Sequence, residues 1–448
     1  MSGLKNSLRQ LLRYPAAIGG LSIILLLVAV SIYALVTIPY DEAIRLWRGG
    51  ESVWYQNPKH APPAWMNFFS REKRPVSFSV STQDGEMEKT VTPGNEDTST
   101  VEIVYTFDYS YDGFPQDMII YFNGKYESKL PFVSMTWVTP DGREIRLGDM
   151  AVDRQQTFRI AQDQKLQQRL RTNRVMQGLF TEESEELSST PLKGTYQLKM
   201  IGVTFDKGAD IDAEFVLHGS LYGAAGTDQY RRDLVLPLLY GTPIALAFGL
   251  LAALGTSLVT MIIAAVGTWY GGWIDELIQR ITEINLVLPF LAILIMVGTF
   301  YSRSIWVILG VTILLSIFSG QIKTYRAIFM QSKESGYIEA ARAYGASSGR
   351  IIFSYLIPRM IPLLIPALVS SVPTFVFLEA SLAFLGLGDP VLPTWGKVIQ
   401  AAFVDGALYR GLYYWVLEPA VLLMLTGLGF AMLGFALDRV FNPRLRDI

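Results

Sequence analysis

Apolar positions form long unbroken blocks toward both ends of the chain and short alternating runs in the middle, so two kinds of element are predicted. Ala16–Ile38 is an uncharged run of 23 residues. A helix needs about 20 apolar residues to cross the hydrocarbon of a bilayer, so this run can span. A cleaved signal peptide would have a shorter apolar core and a small-x-small cleavage site, so a retained span is the better reading. After Asp233 the next charge is Asp275, and that stretch holds a second span at about Ile244–Trp269. Ile284–Ser302 and Ser304–Ile322 are uncharged on either side of Arg303, which predicts a helical hairpin with a very short turn. Lys323–Arg359 is polar with helical character. Met360–Leu378 continues past Glu379 toward Gly386, and Tyr414–Leu437 closes the series at six spans.

Between the first two spans the period changes. Arg74–Thr82, Thr100–Tyr109, Met118–Phe122 and Phe132–Val138 are rich in β-branched and aromatic residues. Asp84-Gly85, Asp112-Gly113, Asn123-Gly124 and Asp141-Gly142 read as turns between them, which predicts antiparallel hairpins. Gln155–Met176 reads as one helix, and Thr195–Phe205 and Ile211–Leu217 as closing strands. The expected fold is an α-helical polytopic membrane protein with six transmembrane helices and a β-rich domain, a sandwich in outline, inserted between helices 1 and 2. Its parts are residues 1–40, the insert 41–230, and a five-helix core 231–448 that contains the polar loop 323–359.

Charge orients this arrangement. The 448 residues have a formal charge of -2, but Asp41–Tyr230 holds 20 basic and 28 acidic residues and the remainder 18 and 12. With the N-terminus cytoplasmic, Lys5, Arg9, Arg13, Arg280, Lys323, Arg326, Lys333, Arg342, Arg350, Arg359, Arg439, Arg444 and Arg446 fall inside. Arg303, Lys397 and Arg410 remain for the short outer segments, beside Arg231 and Arg232 at the outer edge of span two, and the acidic insert lies outside. The mean hydropathy of +0.30 suits a membrane protein carrying a polar part. There is no cysteine and only two histidines, His60 and His218, so disulfides, thiol chemistry and a histidine-rich metal centre are excluded. Asp206, Asp210 and Asp212 lack the calcium-loop pattern and read as a solvated turn.

The polar loop holds the most informative spacing. Glu339, Ala340, Ala341, Arg342 and Gly345 predict a short helix with a small-residue face, ended by a glycine. Ser347 or Ser348 would cap a second helix, and Pro358 and Pro362 mark its entry into the membrane. Alone, Glu339 is no more than a surface acid. Glu379 sits in an apolar run, where an ionisable group is costly, and either bonds between helices or lines a pore with Ser381. Glu418, beside Pro419, is expected to reach the headgroups. No phosphate-cradling G-x-x-x-x-G-K-[ST] run is present, because Gly396-Lys397 lacks the upstream glycine and is followed by Val398. No catalytic constellation has plausible spacing, so the chain is not expected to be an enzyme.

Glu339-Ala340-Ala341, Gly345 and Pro358 resemble the EAA loop of ABC-importer permeases; Tyr355 and Ile357 stand where the family has Ile and Leu. Gly226-Thr227-Asp228 with Arg231-Arg232-Asp233 and Leu239-Tyr240-Gly241 is similar to the outer entry of span two in C-type subunits of dipeptide, oligopeptide and nickel permeases. Tyr230-Arg231 there replaces Leu-Gly. Leu378–Gly388 with Pro393-x-Trp395-Gly396, and the tail Asp438–Arg446, extend the likeness, which is strong over about 220–448 and weak over 1–40. Relatives usually have a much shorter outer loop, so the insert is outside the resemblance.

The resemblance implies a type I importer permease fold forming half of a translocation path for peptides or similar solutes. It implies a homologous second permease, two ATP-binding subunits and an extracytoplasmic solute-binding protein as partners, in the bilayer of the cytoplasmic (inner) membrane and with no nucleic acid. No cofactor is expected in this chain; ATP and magnesium belong to the partner ATPases. Glu339, Ala340, Ala341, Arg342, Gly345 and Pro358 would couple to the ATPase. The insert is expected to be a docking platform for the binding protein or the second permease. Two other readings stand beside this one: a membrane-anchored extracellular ligand sensor, and a permease for nickel chelates or another non-peptide solute.

Overall fold

Pro15 opens the first helix, where its missing N–H is not needed. This helix, α1 (Pro15–Thr37), is uncharged throughout. The computed structural model describes residues 13–94, 97–182 and 189–441; Lys5, Arg9 and residues 442–446 of the tail motif lie outside them. A short amphipathic helix, α2 (Tyr40–Arg48), follows, with Asp41 and Glu42 in its first turn and Arg45 and Arg48 in its last. That order suits the helix dipole. Residues up to Arg48 and from Leu236 onward form one compact unit, and Gly49–Val235 form the other. α2 therefore goes with the helices: its buried Trp47 lies under the ammonium of Lys397, 5.3 Å from the ring centre.

The second unit contains β1 (Phe78–Ser81), β2 (Glu88–Pro93), β3 (Ser99–Tyr109), β4 (Asp117–Lys125), β5 (Phe132–Val138), β6 (Glu144–Ala151), β7 (Gln156–Arg159), the helices α3 (Gln164–Leu170) and α4 (Val175–Phe180), then β8 (Gly194–Thr204) and β9 (Asp210–His218). The strands form two antiparallel sheets, ordered β1-β9-β4-β7 and β2-β3-β8-β5-β6. Alternate residues of both sheets enter one core: Met118, Ile120 and Phe215 from the first, Ile103, Trp137 and Leu198 from the second. That is a β-sandwich. Phe180 and Tyr196 stack beside Trp137 at ring separations of 4.7–5.4 Å.

Several local expectations fail here. Only Asp141-Gly142 turns a hairpin, joining β5 to β6. Asp84-Gly85 and Asp112-Gly113 carry the chain from one sheet to the other. Asn123-Gly124 lies within β4, where a side chain at Gly124 would come 3.0 Å from the Asp153 carbonyl; the glycine serves a close approach. The single helix expected over Gln155–Met176 is a strand, a 3-10 turn and two short helices. Its glutamine-rich start pairs with β4 and lays Phe158 against Gly148, so tertiary contact overrides helix propensity. Of the three aspartates expected in a solvated turn, Asp206 is in the turn between β8 and β9, while Asp210 and Asp212 belong to β9. Asp206 accepts from the N–H groups of Glu127, Ser128 and Lys129, and Lys89 Nζ bridges the other two at 2.9 and 2.7 Å.

The helical unit resumes with α5 (Val235–Tyr270), then α6 (Gly272–Val287), α7 (Phe290–Phe300), α8 (Ile305–Ile317), α9 (Gly320–Lys333), α10 (Gly336–Ala343), α11 (Ser348–Leu387), α12 (Trp395–Val404) and α13 (Tyr414–Phe441). Among the described residues four helices, α1, α5, α11 and α13, are long and apolar enough to cross a membrane, and six segments are if each bent pair counts as one. The pairs are α6 with α7, bent by 78°, and α8 with α9, bent by 47°. The uncharged run from Ile284 is thus broken at Pro289, which has no N–H to continue the ladder. Pro362 does not end a helix; with Pro366 and Pro373 it lies inside α11. Glu418 is half-buried with Oε2 covered by protein, so it does not extend outward. Helices approach closely at small residues, as expected where lipid removes the hydrophobic drive. A side chain on Gly20 of α1 would come 2.7 Å from the Gly429 carbonyl of α13, and one on Gly249 of α5 2.5 Å from Val376 of α11.

Candidate functional site

The short helix α10 presents most of the predicted loop residues together. Ile338 is fully buried in a cluster with Met261, Phe329, Ile352 and Leu356, and Ala341 is nearly fully buried. Glu339, Ala340 and Arg342 are exposed on its other face, and Tyr344 beyond its end is 92% exposed. Gly345 has φ +77°, a backbone state open to glycine and strained for other residues, and its N–H returns to the Arg342 carbonyl at 2.9 Å. Ser347 caps the start of α11, accepting from Arg350 N–H. Pro358 is exposed further along α11, between about two and three turns from its start. Residues Ile351–Leu356 just ahead of it are wound as a π-helix, with Ile357 N–H bonded to Ile352 O. Such a bulge accommodates a proline that cannot donate.

Contacts that sequence reasoning missed hold this surface in place. Lys333 at the end of α9 donates to the carbonyls of Thr268 and Trp269, both at 3.0 Å, closing the C-terminal end of α5. Arg342 lies 4.5 Å from the Trp269 ring centre, a cation–π contact. Arg326 of α9 grips Asp275 of α6 with two nitrogens, Nε lying 2.8 and 3.0 Å from the two carboxylate oxygens. Arg359 stands over Tyr337, 5.3 Å from the ring centre. The one hint in the sequence is that Asp275 is the first charge after the long uncharged stretch.

α11 leads from this surface to a cavity of about 850 Å³. Ser371, Thr374, Phe375, Phe377, Leu378 and Ser381 of α11 line it. Thr256 and Ser257 of α5 and Asn285 of α6 face it too, and no Asp, Glu, Lys or Arg is among the lining residues. Asn285 donates to the carbonyls of Leu315 and Phe318 at 2.8 and 2.9 Å, fixing the bend between α8 and α9. Ser381 is exposed, with its hydroxyl bonded back to Phe377 O at 2.7 Å. Glu379 is not a lining residue. It is 6% exposed and sits beside Thr394 and Lys397, where α11 meets α12 through Gly396; a side chain there would come 2.5 Å from the Ala380 carbonyl. No group of three or more His, Asp or Glu is placed to hold a metal ion among the described residues.

Residues 257–447 match the model of the binding-protein-dependent transport system inner membrane component family. The dipeptide transport system permease protein DppC of Alkalihalophilus pseudofirmus is 30% identical over 226 residues, 50% of this chain and 72% of the relative. The chain belongs to this permease family. DppC of Bacillus subtilis is 31% identical over 224 residues, 49% of this chain and 68% of its own length. The peptidoglycan transport system permease protein YejE of Agrobacterium fabrum is 33% identical over 175 residues, 39% and 46% of the two chains. The permease match thus covers α10, α11 and most of the cavity, while the β-sandwich lies ahead of the family model. As a permease subunit of ABC importers, the chain has a transport role and works in general with ATPase, second-permease and binding-protein partners.

Proposed function

We propose that this permease forms half of the path by which peptides, or solutes of similar chemistry, enter the cell by alternating access. The cavity supports this reading: its lining is uncharged and mainly apolar, with hydroxyl and amide groups set into it, which suits the neutral, hydrogen-bonding backbone and apolar side chains of a peptide and does not sort cargo by charge. Relatives named for dipeptide and peptidoglycan transport agree with it. In this reading both termini are cytoplasmic and the sandwich is outside, which the distribution of basic residues supports. The sandwich serves as a docking platform for the solute-binding protein or the second permease.

The observation that carries the mechanism is continuity. α10 offers Glu339, Ala340 and Arg342 to an ATP-binding partner while Ile338 roots it in the protein, and α11 begins just beyond Gly345 and lines the cavity. ATP binding closes the partner ATPases, α10 moves with them, and α11 shifts the cavity wall between inward and outward states. ATP and cargo drive this by binding the two states unequally. Glu379 packs α11 against α12 and leaves the path wall to Ser381.

Gly345→Val tests the coupling, because a β-branched residue is strained at φ +77°. In vesicles holding the assembled complex, cargo-stimulated ATPase and uptake should both fall about tenfold or more while assembly persists. Unchanged uptake would sink the coupling role. A competition series of di- and oligopeptides against nickel chelates tests the cargo.

A further inference from the structure

Phe68 and Phe69 are 84% and 85% exposed, the most exposed large apolar side chains among the described residues of the β-sandwich unit. Soluble surfaces rarely display such pairs without a partner. They belong to a loop that is held rigid. Asn67 Oδ1 accepts from Arg74 N–H at 3.0 Å and its Nδ2 donates to Arg74 O at 2.8 Å, closing residues 67–74 on themselves. Lys73 Nζ donates to Asn67 O at 2.6 Å. Trp65 stands edge-on to Phe69, ring centres 6.3 Å apart, and is 44% exposed. After Ser70 the run Arg71-Glu72-Lys73-Arg74 follows the two phenylalanines, three bases to one acid.

The loop also lies at the end of the unit where the chain enters and leaves. Trp65 Nε1 donates to Ala224 O at 3.0 Å and Ala64 N–H to Gly223 O at 2.9 Å. Thr227 Oγ1 joins Ala61 N–H and Pro58 O, and Asn57 Nδ2 bonds Arg231 O at 3.0 Å. The entering segment 57–65 is thus laced to the leaving segment 223–231, close ahead of α5. Tyr230, 48% exposed, is on the same leaving segment.

The geometry points to a membrane-interface anchor: the Trp65–Phe69 aromatics enter the lipid headgroup region, and Arg71, Lys73 and Arg74 meet anionic phosphates beside them. Exposed aromatic rings next to basic residues are the composition that settles at this depth, about 5–10 Å into the boundary. Basic side chains add attraction for anionic lipid. Continuity with the helices on both sides of the unit selects lipid over a soluble partner, because the bilayer is the surface to which both chain exits lead.

The chain has no cysteine, so single substitutions label cleanly. Phe68→Cys, Phe69→Cys and, beyond the far end of β1, Glu86→Cys would each carry a thiol-reactive fluorophore on the full chain. Each is reconstituted in nanodiscs of phosphatidylcholine and phosphatidylglycerol with brominated acyl chains. Bromine should quench the labels at 68 and 69 at least threefold more than the label at 86. Replacing phosphatidylglycerol by phosphatidylcholine should weaken that quenching. Equal quenching at all three positions overturns the anchor. So does shielding of 68 and 69 that appears only on adding a second permease or a solute-binding protein, which would assign the patch to that partner. Both phenylalanines are exposed, so the variants remain folded, and recovery of the labelled chain by size-exclusion chromatography checks it.

Discussion

Trp395 lies against Gly241 so closely that a side chain on the glycine would come 2.6 Å from the indole Cδ1, and the indole N–H donates to Leu238 O at 3.0 Å. Two motifs far apart in the chain meet in this one contact, Leu239-Tyr240-Gly241 at the head of α5 and Pro393-x-Trp395-Gly396 at the head of α12. Gly241→Leu should destabilise the helical unit by about 1–3 kcal/mol through overpacking. The measurement is the thermal midpoint of the detergent-solubilised chain. An unchanged midpoint would show that α12 moves aside freely.

The Arg326–Asp275 pair joins α9 to α6 through two nitrogens, in a partly exposed position. A double-mutant cycle of Arg326→Gln and Asp275→Asn should return a coupling of about 1 kcal/mol, at the upper end for pairs in contact with solvent. Uptake should fall more in each single variant than the loss of stability accounts for, since the pair holds the base on which α10 rests. Purely additive effects would make the pair a bystander.

His218 in β9 is buried, with Nε2 3.1 Å from Gln56 O, and burial with nearby Arg231 pushes its pKa down to about 4. Between the ordinary value of about 6.5 and 4 the unfolded chain takes up a proton that the folded chain refuses. Stability is therefore complete above about pH 6.5 and is lost as pH falls, by at most about 3 kcal/mol. His218→Gln should flatten this slope. Near-ultraviolet circular dichroism melts of the full chain at pH 7, 5.5 and 4.5 would show it, and parallel slopes for the two proteins would refute it.

The membrane helices were legible because absence of charge over 20 or more residues has one physical solution. The same signal could not show that the run from Ile284 bends sharply at Pro289, because hydropathy carries no direction. Strands were legible from β-branched runs, but which strands share a sheet was not: Asp112-Gly113 looks like any hairpin turn, and only the packed core sends β3 and β4 to different sheets. In the candidate site Glu339–Gly345 was legible from spacing. Lys333 on the α5 carbonyls and Arg342 on Trp269 were not, because those partners are more than 60 residues away in the chain for each cation. The cavity likewise collects hydroxyls from three regions and an amide from a fourth, and none is unusual where it stands.

Pro362, Pro366 and Pro373 have a joint effect on α11. Each lacks the N–H that would meet the carbonyl four residues earlier, which strips the helix of its rungs at Pro358, Pro362 and Val369. At about 100° per residue these three carbonyls fall within roughly 40° of one another around the axis. α11 is therefore ribbed on three sides and slit along the fourth. Such a rod is softer in one plane than in the other, like a split cane, and under the proposed coupling a push delivered at Gly345 would reach Ser381 with its direction already chosen.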